Sequence, residues 1–196
     1  RSVRYDELDV ELADSVGLYD ALEVSLQSDA ADDMLVFLDS GAYPRDLEAD
    51  VRGCEEHGAD LVFAPTADEM YAGDASVVVD ERELSVGLCG GSRPGHFAGV
   101  CGVVLKLFNI VRPEVAVFGK KDFQQLAVIR RLVRDLDLEV DVVGVETVRE
   151  ADGLAMSSRN VYLSESERKE ALALVDTLHR SAAMADNGHL DAAKVL

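Results

Sequence analysis

Three stretches of this sequence gather residue types suited to holding an anionic, phosphorylated ligand. The first is Phe118-Gly119-Lys120-Lys121-Asp122-Phe123-Gln124-Gln125. Gly119 lets a ligand approach the backbone closely. Lys121, after Lys120, stands just ahead of a predicted helix, where free N–H groups and the helix dipole already favour an anion. A lysine there adds a compact positive charge suited to phosphate. Asp122 with Gln125 three residues on also reads as a capping pair, which any helix could use. The second stretch is Glu150-Ala151-Asp152-Gly153-Leu154-Ala155-Met156-Ser157-Ser158-Arg159-Asn160. Two hydroxyls followed by a guanidinium can wrap a polyphosphate, the serines donating hydrogen bonds and Arg159 neutralising charge. A solvated polar turn would use the same residues. The third is Ser92-Arg93-Pro94-Gly95-His96-Phe97. Arg93 could bind a carboxylate there, and His96, in the first turn of a helix, either serves a ligand or simply packs.

The elements that must carry these stretches follow from apolar spacing. Val16–Ser28 has helical spacing at Leu18, Ala21, Leu22 and Leu26, and Met34–Leu38 reads as a short strand. Tyr43-Pro44-Arg45-Asp46 looks like a helix start. Leu47, Val51 and Cys54 then share a face, and Gly58 ends that helix. Leu61–Ala64 reads as a buried strand, and Val77-Val78-Val79 as another β-branched run. Gly87–Pro94 is a glycine-rich turn ahead of an apolar helix over Gly95–Ile110. Val115–Phe118 is a strand, Asp122–Leu136 an amphipathic helix, and Val140–Val145 a further strand. Ser164-Glu165-Ser166-Glu167 is a capping box opening a helix to about Ala185, and Asp191 begins another. Strands alternating with crossover helices predict an α/β fold with a parallel sheet. Ligands of such sheets sit beyond the carboxyl ends of the strands. That rule selects Gly119–Gln125 and Glu146–Asn160.

Charge narrows the classes of partner. The 196 residues carry 38 acidic and 19 basic side chains, for a net charge of −19. Residues 1–90 hold 23 acids against five arginines and no lysine; residues 91–196 hold 15 acids against 14 basic residues. Such acidity argues against nucleic-acid binding and against anionic membrane surfaces, which need basic patches. A small anion held by a local cluster remains compatible, and every lysine lies in the second half. Cys54, Cys89 and Cys101 form no closed disulfide set, and no Cys/His spacing suggests zinc or another protein-held metal. Three reduced thiols fit a cytoplasmic protein. The charged opening Arg1–Asp9 does not read as a signal peptide, and the absence of an initial Met suggests a processed or partial product.

Taken together, Ala-Tyr-Pro-Arg (42–45), Glu-Met-Tyr (69–71), Arg-Pro-Gly-His-Phe-Ala-Gly-Val (93–100), Gly-Lys-Lys-Asp-Phe-Gln-Gln (119–125) and Val-Arg-Glu-Ala-Asp-Gly-Leu-Ala-Met-Ser-Ser-Arg-Asn (148–160) resemble the pantoate–β-alanine ligase family, the pantothenate synthetases. The resemblance runs from Gly41 to about Glu170. It implies a Rossmann-like nucleotidyltransferase domain over residues 1–147. A phosphate loop and the start of a small α+β C-terminal domain would occupy 148–196. It also implies a chemistry: ATP and Mg²⁺ activate pantoate as an acyl adenylate, and the amine of β-alanine then displaces AMP. By the same resemblance Lys121, Ser157, Ser158 and Arg159 would hold phosphates, with Lys120 beside them. Gly119 and Asp122 would meet the ribose, Val148 and Met156 would flank the adenine, and Gln125 would bind pantoate. The loop Met156–Arg159 is similar to the phosphate loop of class I aminoacyl-tRNA synthetases. A homodimer is implied as well.

The family's His-x-Gly-His motif, whose histidines meet the α- and β-phosphates, occurs nowhere in these residues, and residues 1–40 do not resemble the family. The resemblance also implies that the sequence ends early in the C-terminal domain. Two alternatives therefore stand beside an active ligase. One is a catalytically inactive fragment or relic that keeps the fold. The other is a different nucleotidyltransferase of the same fold.

Overall fold

The structure is a computed structural model that describes residues 22–28, 31–36, 47–56 and 58–188. The chain falls into two compact units that divide between Thr147 and Val148.

The first unit is built on a five-stranded sheet in the order β3-β2-β1-β4-β5. Its strands are β1 (Leu22–Ser28), β2 (Ala31–Val36), β3 (Leu61–Phe63), β4 (Val115–Gly119) and β5 (Asp141–Val145). The pairs β2–β3 and β4–β5 are parallel, as the alternation of strands and helices predicts. The central strand β1 runs antiparallel to both β2 and β4, so the sheet is mixed. The reason is local: only two residues separate β1 from β2, too few for the crossover a parallel pair requires.

This strand also corrects the helix expected over Val16–Ser28. Leu22, Val24 and Leu26 alternate with Glu23, Ser25 and Gln27, and that two-residue period prevails over the helical spacing. Residues 16–21, the Tyr43–Asp46 helix start and the helix from Asp191 lie outside the described residues.

Helices α1 (Leu47–Glu56), α2 (Ala67–Met70), α3 (Leu88–Ser92), α4 (His96–Val111) and α5 (Phe123–Asp135) connect the strands. The α4 and α5 boundaries fall within a residue of the apolar spacing. Gly58 ends the region after α1 with φ +78°, and Arg112 ends α4 in the left-handed region. The core lies where α4 and α5 cover β4. Leu107, Val128, Ile129, Cys101 and Ala116 are fully sequestered there, and Phe108 meets Phe118 edge to face. Each of the leucine, valine, isoleucine and phenylalanine side chains among them contributes roughly 1.5–3 kcal/mol when removed from water.

Two expectations fail in the stretch between β3 and α4. Val77–Val79 is no strand; Val77 and Val78 are 89% and 74% exposed, because no neighbouring strand pairs with them. The glycine-rich stretch after Gly87 contains the single-turn helix α3 instead of an open turn. Helix α2 was legible in principle, since Thr66 and Glu69 form a reciprocal capping box.

The second unit opens with a tight hairpin. Arg149 and Ala155 form an antiparallel bridge, Glu150 N–H donates to Leu154 O at 2.8 Å, and Gly153 takes φ +95° at the tip. A turn of 3₁₀ helix over Ser158–Tyr162 follows. Helix α6 (Glu165–Asp186) then begins at Ser164, whose hydroxyl accepts from Glu167 N–H while the Glu167 carboxylate accepts from Ser164 N–H.

Candidate functional site

In the first unit the site starts at the end of β4. Val117 and Phe118 are buried in the sheet, whereas Gly119 is exposed at its end, directly opposite Val145 of β5. The chain then makes a 3₁₀ turn over Lys120–Asp122 and enters α5 at Phe123. Gly119, Lys120, Lys121, Asp122 and Gln125 are thus brought together beyond the carboxyl ends of two parallel strands, the edge where α/β sheets take ligands.

The expected capping pair is not formed: Asp122 makes no side-chain bond to an α5 N–H. The tight turn runs straight into the helix, so Asp122, at φ −92° and ψ +58°, lacks the extended backbone that a side-chain cap requires. The two lysines differ. Lys120 closes an ion pair with Glu146, the first residue past β5. Lys121 is exposed and enters no ion pair among the described residues. Gln125 is half-buried, and among the described residues no hydrogen bond engages its side chain.

The residue that sequence reasoning missed is Gln124. It is 8% exposed, on the helix face that also buries Val128. Its Oε1 accepts from Cys89 N–H at 2.9 Å, and its Nε2 donates to Leu84 O and Gly87 O, both at 2.7 Å. A polar side chain four residues before a buried valine was the available signal. It was hidden because the partners lie 35–40 residues away.

The third stretch joins the same unit. Arg93 Nη1 lies 3.1 Å from His96 Nε2 at the start of α4. Burial and the Arg93 guanidinium hold the His96 imidazole below the usual histidine range, against an opposing pull from the Asp122 carboxylate. Since a guanidinium can only donate, His96 Nε2 is the acceptor in this contact.

In the second unit the hairpin and the turn after it place the remaining candidates. Met156 N–H donates to Val148 O at 3.0 Å, so these two half-buried residues lie side by side. The Ser157 hydroxyl accepts from Arg159 N–H at 3.2 Å, and Asn160 N–H donates to Ser157 O at 3.0 Å. Ser158 opens the 3₁₀ turn, and the Arg159 side chain is exposed. A network secures the base of this loop. Asn160 Nδ2 donates to Glu150 Oε1 at 2.5 Å and to Ala155 O at 3.0 Å. Arg168 on α6 pairs with Glu150 and donates from Nε to Asp152 Oδ2 at 2.8 Å. The hydrogen bond from Arg168, then that from Asn160, holds the Glu150 carboxyl below the usual range. For Asp152 the Leu154 N–H is the leading cause, followed by Arg168. Arg168 carried no mark in the sequence, because a charged residue near a capping box usually faces solvent.

Comparison with known proteins bears on this arrangement. The family profile described as Pantoate-beta-alanine ligase matches residues 37–195, beginning four residues earlier and reaching further than the motifs alone. A pantothenate synthetase of Heliobacterium modesticaldum is 59% identical over 157 residues, covering 80% of this chain and 56% of that protein. One of Syntrophotalea carbinolica is 55% identical over 158 residues, covering 81% and 56%. The crystal structure of a pantothenate synthetase from Thermus thermophilus superposes with a TM-score of 0.73 at 51% identity, covering 77% of this chain and 55% of that one. A pantoate-beta-alanine ligase from Francisella tularensis, complexed with beta-gamma ATP and beta-alanine, gives 0.65 at 32% identity, covering 70% and 53%. The chain thus spans about half the length of the relatives it matches.

Proposed function

The chain belongs to the pantoate–β-alanine ligase family, and on that premise we propose that it binds ATP and pantoate and supports the AMP-forming synthesis of pantothenate. In that reaction a pantoate carboxylate oxygen attacks the α-phosphorus of ATP. A new O–P bond forms, the α–β phosphoanhydride breaks, and pyrophosphate leaves. The β-alanine nitrogen then attacks the acyl carbon, the C–O bond to AMP breaks, and the ammonium proton is lost as the amide forms.

Both steps build negative charge on phosphate oxygens, so fixed donors and cations are what the protein must supply. We assign that task to Lys120 and Lys121 of the first unit and to Ser157, Ser158 and Arg159 of the second; Lys120 is also paired with Glu146. Gly119 and Asp122 would meet the ribose, Val148 and Met156 the adenine, and Gln125 the pantoate. Among the described residues no group of three or more His, Cys, Asp or Glu side chains gathers for a metal. Following the resemblance, we assign Mg²⁺ to the phosphates of ATP itself, where it would neutralise charge as part of the substrate. A homodimer in the cytoplasm completes the proposal, supported by the resemblance. Among the described residues no helix is long and apolar enough to cross a membrane.

The observation that carries this reading is the placement of Gly119 at the end of β4, opposite the end of β5, with Lys121 and Gln125 following directly. Titration of the chain with Mg-ATP, and pantoate-dependent exchange of labelled pyrophosphate into ATP, test it. Binding with measurable exchange is expected, and an absence of ATP binding overturns it. One observation favours a second reading, an inactive fragment or relic that keeps the fold: no His-x-Gly-His occurs in the 196 residues. Histidines that meet the phosphates act mainly on the transition state, so their absence lowers turnover more than binding. ATP binding with no exchange would identify an inactive fragment or relic.

A further inference from the structure

We propose that Gln124 is a positioning residue that fixes the candidate pantoate ligand Gln125; the identity of that ligand rests on the ligase reading above. Gln124 is the one polar residue among the described buried side chains. A carboxamide has two N–H donors and an acceptor oxygen, and burying it without partners is costly. Here both donors and the oxygen are used, on Leu84 O, Gly87 O and Cys89 N–H.

All three partners belong to one short stretch, the turn that leads through α3 to Arg93 and His96. The backbone of that turn approaches itself closely, leaving no room for a Cβ on Gly90 beside Ser85 O. Gln124 therefore ties the first turn of α5 to this stretch by three directed hydrogen bonds. Consecutive helix residues are separated by about 100° of rotation. Fixing Gln124 around the axis accordingly fixes Gln125 as well. Stability alone does not need this device, because Leu126, Val128, Ile129 and Leu132 already bury the helix. A carboxamide with three directed bonds adds position, and position is what a ligand-binding amide one residue later requires.

The test compares the unaltered chain with Gln124→Met and Gln124→Glu. Two readouts are used: hydrogen exchange over residues 84–92, and calorimetric titration with pantoate and with Mg-ATP. In Gln124→Met, exchange over 84–92 is expected to quicken about tenfold and pantoate affinity to fall about tenfold, while ATP affinity changes less than about twofold. At pH 8, Gln124→Glu sets a carboxylate against two carbonyl oxygens; on protonation it regains one donation. Its pantoate affinity is therefore expected to recover as the pH falls towards 5, a profile that lost packing would not give. If Gln124→Met does not fold, the pH profile of Gln124→Glu decides alone. Unchanged pantoate affinity in the variants overturns the assignment, as does unchanged exchange over 84–92. An unaltered chain that takes neither ATP nor pantoate overturns the ligase reading, and the assignment with it, before any substitution is compared.

Discussion

The Asn160 side-chain amide donates to the Glu150 carboxylate at 2.5 Å, joining the two ends of the segment that carries Met156, Ser157, Ser158 and Arg159. A phosphate-binding loop must hold its donors in place before charge develops, because reorganisation during reaction costs rate. Asn160 also donates to Ala155 O, and Arg168 clamps Glu150 and Asp152 from α6. The loop is thus anchored at its base while Arg159 reaches solvent.

Removing the clamp is expected to loosen the loop. Arg168→Met should weaken Mg-ATP binding about tenfold and leave pantoate binding unchanged, since pantoate is assigned to the other unit. It should also speed tryptic cleavage after Arg159. The clamp has a pH signature. Glu150 and Asp152 are both held below their ordinary values of 4.5 and 3.8. A carboxylate depressed on folding contributes stability that is complete above its unfolded value and is lost as pH falls through the folded one. The unaltered chain should therefore keep its protease resistance at Arg159 down to about pH 4.5 and lose it below. In Arg168→Met this pH dependence should shrink, because both carboxyls lose a cause of their depression and less stability is left to lose in acid. Equal ATP affinity in the two proteins would refute this role for Arg168.

Lys121 differs from Lys120 in having no carboxylate partner among the described residues, so a bound phosphate is expected to be its counter-charge. Lys121→Ala should weaken ATP binding about tenfold, whereas Lys120→Ala should do so about two- to threefold. Raising the salt from 0.05 to about 0.5 M should shrink the Lys121 effect, because an exposed lysine is screened. Titration calorimetry at the two salt concentrations measures both. A larger loss at Lys120 would reverse the assignment.

What was legible in the sequence was local. The ends of β4, α4 and α5 followed to within a residue from apolar spacing, and the α6 start from its capping box, because each depends on neighbours within one turn. Gly119–Gln125 and Met156–Arg159 could be named as candidates for the same reason, each being a run of adjacent residues. Strand β1 was not legible as such, since its pairing with β4 joins residues some ninety positions apart and overrides a competing helical spacing. Gln124 and Arg168 were missed because their partners are distant: a glutamine and an arginine on helices read as solvated until the backbone of residues 84–89, or the carboxylates of the hairpin, is folded against them.

The cap of α6 offers a stability test confined to the second unit. Ser164 satisfies the Glu167 N–H, and Ser164 in turn holds the Glu167 carboxyl below the usual range, first through its hydroxyl and then its N–H. Ser164→Ala should cost about 1 kcal/mol. That corresponds to a drop of roughly 2–4 °C in Tm for a chain of this length. The depressed carboxyl gives the sign of the pH effect: the cap stabilises fully above the ordinary glutamate range and fades below it. The difference between Ser164→Ala and the unaltered protein should accordingly narrow as the pH falls below about 4. Melting curves at pH 7 and pH 3.5 would show it, and a difference that widens in acid would contradict it.

Two glycines of neighbouring elements should respond to alanine in opposite directions. A Cβ on Gly90 would lie 1.6 Å from Ser85 O and 2.7 Å from Ser85 C, both backbone atoms that no side-chain rotation can move. Gly90→Ala must therefore displace the turn that Gln124 holds, and a loss of at least about 2 kcal/mol is expected from the overpacking and the broken hydrogen bonds. Gly99 lies within α4, and nothing stands within 4 Å of its would-be Cβ. Alanine there keeps the helix and narrows the unfolded ensemble, so Gly99→Ala should gain about 0.5–1 kcal/mol. Urea unfolding of the two variants measures both changes. The contrast also separates stability from positioning. Gly99→Ala should leave pantoate affinity unaltered. Gly90→Ala should lower it at urea concentrations where the protein is still fully folded, because the backbone that fixes Gln124, and through it Gln125, has moved. Equal pantoate affinity in folded Gly90→Ala would show that the turn and the ligand site are independent.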